Sequence, residues 1–225
     1  MNTLETILFQ QTNVRVIDSS IPYSKYIPLD LSVHSDALKE YKPQTAAEYE
    51  IFIADYLSKN QAQVAYGGYL EKRKLYERSS IFNSTTAASE RNIHIGLDLW
   101  IKAGTSVLAA LDGVVHSFQN NTALGDYGPT IILKHTLNNC EFYTLYGHLS
   151  LESIALLRGN QSFKKGEKIA TLGTAAINGN YASHLHFQII VDIEEYQGDY
   201  PGVCSENDML YYTKNCPDPN LLLKI

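Results

Sequence analysis

Between Ile93 and about Ile190 the chain breaks into short apolar runs separated by Gly, Asn and Asp, and this pattern constrains the fold more than any other. The runs are Ser106 to Leu111, Val114 to Phe118, Thr130 to Leu133, Phe142 to Leu145, Lys168 to Leu172 and Leu185 to Val191. Each has the length of a strand, and Asp112-Gly113 and Asn178-Gly179 are pairs that serve as turns between strands. Short, closely spaced strands predict a mainly β fold, a compact antiparallel sheet or barrel.

The last run carries chemistry. In Ser183-His184-Leu185-His186-Phe187-Gln188-Ile189-Ile190, strand alternation puts His184, His186 and Gln188 on one face and Leu185, Phe187 and Ile189 on the other. Same-side neighbours lie within about 7 Å of each other, so one histidine can bind a metal while the other reaches water on that metal. Taken alone, a His-x-His pair is more often two hydrogen-bonded surface histidines. Two further segments shift that balance. His94-Ile-Gly-Leu-Asp98 sets a histidine and a carboxylate four apart around a glycine, and both are zinc ligands when deprotonated. Leu145-Tyr-Gly-His148-Leu-Ser150 ends an apolar strand on a histidine.

Ahead of this region, residues 1 to about 44 hold β-branched stretches interrupted by Pro22, Pro28 and Pro43, which predicts extended segments and loops. Thr45 and Glu48 form a capping box, and Tyr49, Phe52, Ile53, Tyr56 and Leu57 follow at helical spacing, so one helix is predicted over about 45–62 with its aromatic stripe in the core. Lys72, Arg73 and Lys74, with Arg78 and Arg91 close behind, form a basic cluster in an acidic protein. Such a cluster is either a solvated face offset by Glu71, Glu77 and Glu90, or a grip for a substrate carboxylate or phosphate. Residues 79–90, rich in Ser, Thr and Ala, read as a loop. The domain division is therefore an N-terminal extension over 1–90, a β domain over 91–191 and a C-terminal extension over 192–225.

The net charge of -6 and pI near 5.6 give no electrostatic reason to bind nucleic acid or an anionic membrane. No run approaches the roughly 18 apolar residues of a membrane span. The first residues lack a basic region, a long apolar stretch and a cleavage site. Cys140, Cys204 and Cys216 leave an odd thiol and read as ordinary thiols in a reducing compartment. A cytoplasmic location is expected, with export by an unrecognised route as the alternative.

In order and spacing, the histidine segments and their surroundings resemble the lysostaphin-like or LytM-type zinc metallopeptidases of the M23 peptidase family. The matching pieces are His94-Ile-Gly-Leu-Asp98, Gly104-Thr-Ser-Val107 with Ala110-Leu-Asp-Gly-Val-Val115, Ile132-Leu-Lys-His135, Tyr146-Gly-His-Leu-Ser150, Lys165-Gly-Glu-Lys-Ile169 and His184-Leu-His-Phe187. The resemblance covers somewhat under half of the chain. It implies a small antiparallel β-fold with a groove over Zn2+, with His94, Asp98 and His186 as metal ligands and His148 and His184 as unbound catalytic histidines. Which of the two takes the proton and which stabilises the oxyanion stays open. Gln188 stands where many family members have Glu, and the loop Thr174 to Tyr181 departs from the usual Gly-rich run. His135 is expected as support near the site, and His116 and His34 as surface residues.

The implied activity is hydrolysis of a peptide or related amide bond, on a peptide, a murein fragment or a small amide. The segments Gly198 to Cys204 and Asn215 to Asn220 resemble the end of M23-like modules fused to aminotransferase-type enzymes. That resemblance implies association with such an enzyme and a small amide substrate, whose anionic group Lys72, Arg73 and Arg91 would bind. A non-hydrolytic LytM-like module acting on a partner protein is the alternative, and retention of every expected ligand favours the enzyme. An N-terminal loop covering the metal would make the enzyme latent.

Overall fold

The computed structural model describes residues 3–82, 86 and 88–225, so residues 83–85 and 87 of the expected loop lie outside it. An eight-stranded sheet forms the body of the protein. Its spatial order is Tyr26–Pro28, Val64–Gly67, Leu97–Trp100, His184–Ile190, Cys140–Gly147, Gly128–Leu137, Gly113–Asn121 and Ser162–Phe163. The edge pair Tyr26–Pro28 and Val64–Gly67 is parallel, and every other pairing in this sheet is antiparallel. A two-stranded ribbon of Ser106–Leu108 with Lys168–Thr171 and a three-stranded sheet of Val203–Cys204, Ile93–His94 and Glu71–Lys72 complete the β structure.

Each of the six predicted runs contains a strand; three are longer than expected, whereas Ser106 to Leu111 is strand only over Ser106–Leu108. The strand His184–Ile190 is buried on both faces, not one. Leu185, Phe187 and Ile189 enter the main core, while the histidine face is covered by the polypeptide on either side of the β segment. Burying a large apolar side chain stabilises by about 1.5–3 kcal/mol. These three residues therefore anchor the strand, and with it the positions of both histidines.

The helix Ala46–Lys59 opens with the predicted capping box, in which Thr45 Oγ1 accepts from Glu48 N and Glu48 Oε2 accepts from Thr45 N. Its stripe packs with Leu29, Leu31, Ala65, Trp100 and Ala182. The first 44 residues differ from expectation, because helices form over Thr3–Gln10 and Asp36–Tyr41. Leu4, Ile7 and Leu8 stand at helical spacing, and Leu4 and Leu8 share the core with Leu222 and Leu223 from the C-terminal end. Packing against that distant segment supplies the stability an eight-residue helix lacks by itself. The expected boundary near residue 91 is not a break in the sheet either, since Val64–Gly67 pairs directly with Leu97–Trp100. Among the described residues, no helix is long and apolar enough to cross a membrane.

Candidate active site

Strand pairing brings the polar groups together. His186 is the register partner of Asp98 on one side and of Gly147 on the other, and directly opposed residues hold their Cβ atoms roughly 4.5–5.5 Å apart. His94 reaches the same point from the three-stranded sheet, across Gly96. A Cβ on Gly96 would lie 2.4 Å from His186 Cε1 and 2.5 Å from its Nε2, so glycine is what lets the imidazole lie against this backbone.

Three atoms converge here. His94 Nε2 lies 2.8 Å from His186 Nδ1, and Asp98 Oδ1 lies 3.2 Å from the first and 3.3 Å from the second. Each imidazole is oriented from its far side. His94 Nδ1 donates to Gly68 O at 2.9 Å, and His186 Nε2 donates to Gln188 Oε1 at 2.8 Å. The inner nitrogens are thereby left with lone pairs that face each other, an arrangement a cation between them relieves. Asp98 Oδ1 is buried without a hydrogen-bond partner. Two imidazole nitrogens and one carboxylate oxygen are a zinc donor set, so these residues fit the metal that the sequence implies.

The second oxygen of Asp98 is occupied differently. Arg73 Nη1 donates to Oδ2 at 2.6 Å, and the same guanidinium pairs with Glu71. Burial by itself would raise the Asp98 carboxyl, but His94 and Arg73 overcome that and hold it well below the usual carboxylate range. Burial pulls His94 down to about 4. Both directions keep His94 and Asp98 deprotonated and available.

His184 and His148 flank the group, with ring centroids 4.2 Å apart. His184 Nδ1 donates to Ala182 O at 2.7 Å and His148 Nδ1 to Asn178 O at 2.8 Å, leaving both Nε2 atoms as proton acceptors. His184 Nε2 is 3.7 Å from Asp98 Oδ1. Burial lowers both pKa values, and the neighbouring His184 and His186 push His148 further down. His148 adopts φ 63°, a left-handed conformation that costs a non-glycine residue roughly 1–2 kcal/mol. Backbone bonds from His148 N to Tyr127 O and from Gly173 N to His148 O, each 2.9 Å, hold it there.

The five residues line one cavity of about 260 Å³, together with Tyr76, Arg78, Arg91, Tyr127 and Tyr181. The remaining expected site residues are distributed differently. Gln188 lies under His186, its own amide donating to Pro201 O and Cys216 Sγ, which points Oε1 at the ring. Arg91 lines the cavity and donates Nε to Val203 O at 3.0 Å. Lys72 does not belong to the site, because its strand turns the side chain outward to pair with Glu206 at 2.6 Å. Arg73 borders the cavity, but Asp98 and Glu71 take up its charge, so it holds a ligand carboxylate instead of standing ready for a substrate anion. His135 is not in the surroundings of the metal group. It is buried against Phe142, with Nδ1 on Asp112 O and Nε2 2.7 Å from Thr144 Oγ1. His116 is half-buried against Tyr143 and bonded to Ser117. Tyr76, Tyr127, Tyr181, Tyr196 and Tyr200 on the cavity wall were given no site role by the sequence. Tyr127 Oη sits 3.4 Å from His186 Nε2, and no spacing rule marks a tyrosine that acts across a sheet.

Two sheets bring two histidines and an aspartate to one cavity, with two more histidines beside them, the donor set and neighbouring proton acceptors of a metallopeptidase-type domain. Residues 92–198 match the model described as Peptidase family M23, and the chain carries a domain of that family. An uncharacterized metalloprotease of Haemophilus influenzae is 33% identical over 99 residues, which are 44% of this chain and 19% of that protein. The murein hydrolase activator NlpD of Escherichia coli is 36% identical over 94 residues, 42% of this chain and 22% of that protein. The chain thus spans about a fifth of the length of these relatives. Among solved structures, a zinc-containing peptidase from Vibrio cholerae is 27% identical with a TM-score of 0.38, covering 49% of this chain and 31% of that one. The catalytic domain of lysostaphin from Staphylococcus simulans is 19% identical with a TM-score of 0.41, covering 76% of this chain and 99% of that one.

Proposed function

We propose that the chain is a zinc-dependent hydrolase of a peptide or related amide bond. The observation that carries this reading is the convergence of His94 Nε2, Asp98 Oδ1 and His186 Nδ1 on one point beside two further imidazoles. When bound there, zinc would supply a polarised, acidified water and a Lewis acid for the scissile carbonyl. His184 and His148 supply the proton handling. With Nδ1 of each held by a backbone carbonyl, Nε2 of one accepts a proton from the attacking water and returns it to the leaving amine. The other, once protonated at Nε2, donates toward the carbonyl oxygen as it gains charge. Two imidazoles this close resist being charged together, which favours a division of the two tasks between them. Gln188 and Gly68 O keep the ligand imidazoles oriented.

Murein peptides are one substrate class for this reading, since the E. coli relative is named for murein hydrolases. The same name supports a second reading, a module that regulates a partner hydrolase without cleaving anything itself. The intact set of ligand and proton-accepting groups favours hydrolysis. Elemental analysis of the purified protein beside His186→Ala tests this. About one zinc per chain, lost in the variant, is expected, with hydrolysis of peptides or murein fragments by the wild type alone. No bound metal after incubation with zinc would sink the hydrolase reading and leave the regulatory one.

A further inference from the structure

Three arginines border the cavity, and two of them are engaged. Arg73 is paired with Asp98 and Glu71. Arg91 donates to Val203 O, and its charge acts on Asp126 and Asp199. Arg78 differs from both. Among the described residues its Nε and Nη2 have no partner in good hydrogen-bond geometry and it makes no ion pair, its charge acting instead on the hydroxyls of Tyr181 and Tyr49. Nε and Nη2 lie on one edge of the guanidinium, the edge that receives the two oxygens of a carboxylate side by side. Leaving buried donors unpaired costs about 1–3 kcal/mol each, and more when they are charged, so the protein maintains this edge at a cost that a bound anion would offset.

Its position relates it to the chemistry. The Arg78 guanidinium lies 4.3 Å over the ring of Tyr181. That ring packs edge-on against His148 at 5.1 Å and His184 at 5.8 Å, and Tyr181 Oη is tied to Gly125 O at 2.8 Å. One aromatic ring therefore separates the cation from both proton-accepting histidines. A carboxylate held by Arg78 is at most about three residues of extended chain from an amide at the histidines. The cavity, at about 260 Å³, lies just under the usual range for ligand pockets and has room for a short stretch of substrate.

We propose that Arg78 is a specificity-determining residue that binds the free carboxylate of a short peptide or amide, placing the bond to be cut close to that carboxylate. The substrate is then a small anionic amide or the carboxyl end of a short peptide, released as a terminal residue. This rests on the hydrolase reading above.

Binding of triglycine and of triglycinamide to the zinc-loaded full chain, measured by calorimetry, tests it. Triglycine should bind at least tenfold more tightly, and Arg78→Gln should abolish the difference by weakening triglycine alone, with zinc content unchanged and the unfolding temperature not lowered. Equal affinity of the wild type for the two peptides, no binding of either included, overturns the proposal without needing any variant. A carboxylate preference that survives Arg78→Gln overturns it as well. Zinc content is read separately, so a protein without metal would defeat the hydrolase reading while the carboxylate preference is still measured by binding.

Discussion

The segment 92–198 and the polypeptide on either side of it contribute different things to one cavity. The segment supplies all three metal-ligand candidates and both proton-accepting histidines. The flanking stretches supply much of the remaining wall, including Tyr76, Arg78, Phe82 and Gly202, and they supply groups that act on the ligands themselves. Gly68 O orients His94, Arg73 occupies the second oxygen of Asp98, and Pro201 O and Cys216 Sγ orient Gln188. The segment thus carries the reactive atoms, while the flanks fix their protonation and geometry and shape what can enter. Gln188 illustrates this dependence. A glutamate here would face Pro201 O without a proton to donate, whereas the amide satisfies both neighbours at once.

Five measurements break or sharpen that division. The largest effect is expected inside the segment, where His148→Ala and His184→Ala should each lower kcat/KM by about 10²–10⁴ with zinc content retained, since each removes one proton-transfer group. Loss of zinc along with activity would make them ligand supports instead. Next comes Arg73→Met in the flank. Removing one partner of a buried pair costs roughly 3–5 kcal/mol, so urea unfolding should show a loss of that order and zinc affinity should fall too. An unchanged midpoint would mean that the flank is dispensable to Asp98.

The third is a pH effect confined to the segment. Burial holds His135 down to about 4 in the folded chain, from an ordinary 6.5. The unfolded chain binds the extra proton first, so stability is full above about pH 6.5 and is lost as pH falls toward 4, by on the order of 3 kcal/mol. The difference between wild type and His135→Gln unfolding curves across this window isolates the effect, and parallel curves would refute it. Fourth, Gln188→Ala should weaken zinc binding by about 10–100-fold in a competition titration, because it removes the acceptor that orients His186. The smallest effect is expected for Thr45→Ala, about 1 kcal/mol of stability through the lost cap, with zinc content untouched. A change in metal content there would show that this helix, whose Tyr49 and Ile53 line the cavity, also holds the ligands in place.

Much of the fold was legible where its signals are local. Strand alternation over His184 to Ile190, the Thr45 and Glu48 cap and the apolar runs depend on residues within a few positions of each other. The helix at Thr3–Gln10 was missed despite the spacing of Leu4, Ile7 and Leu8, because its partners Leu222 and Leu223 lie at the other end of the chain. The basic cluster was visible as a cluster, but not the separate fates of its members. Lys72 turns out to Glu206, Arg73 turns in to Asp98 and Arg78 lies over Tyr181.

The sequence by itself determined the strands and the capped helix through residue type and spacing, and its resemblance to the M23 family pointed to the five polar groups that line the cavity. The tertiary structure decided which nitrogen of each histidine faces inward, which arginine is left unpaired and how small the cavity is. Apart from the local bonds of His184 to Ala182 O and of His186 to Gln188, those depend on carbonyls, carboxylates and rings brought in from distant parts of the chain. Such contacts form only when the sheet pairs and the flanks pack over it.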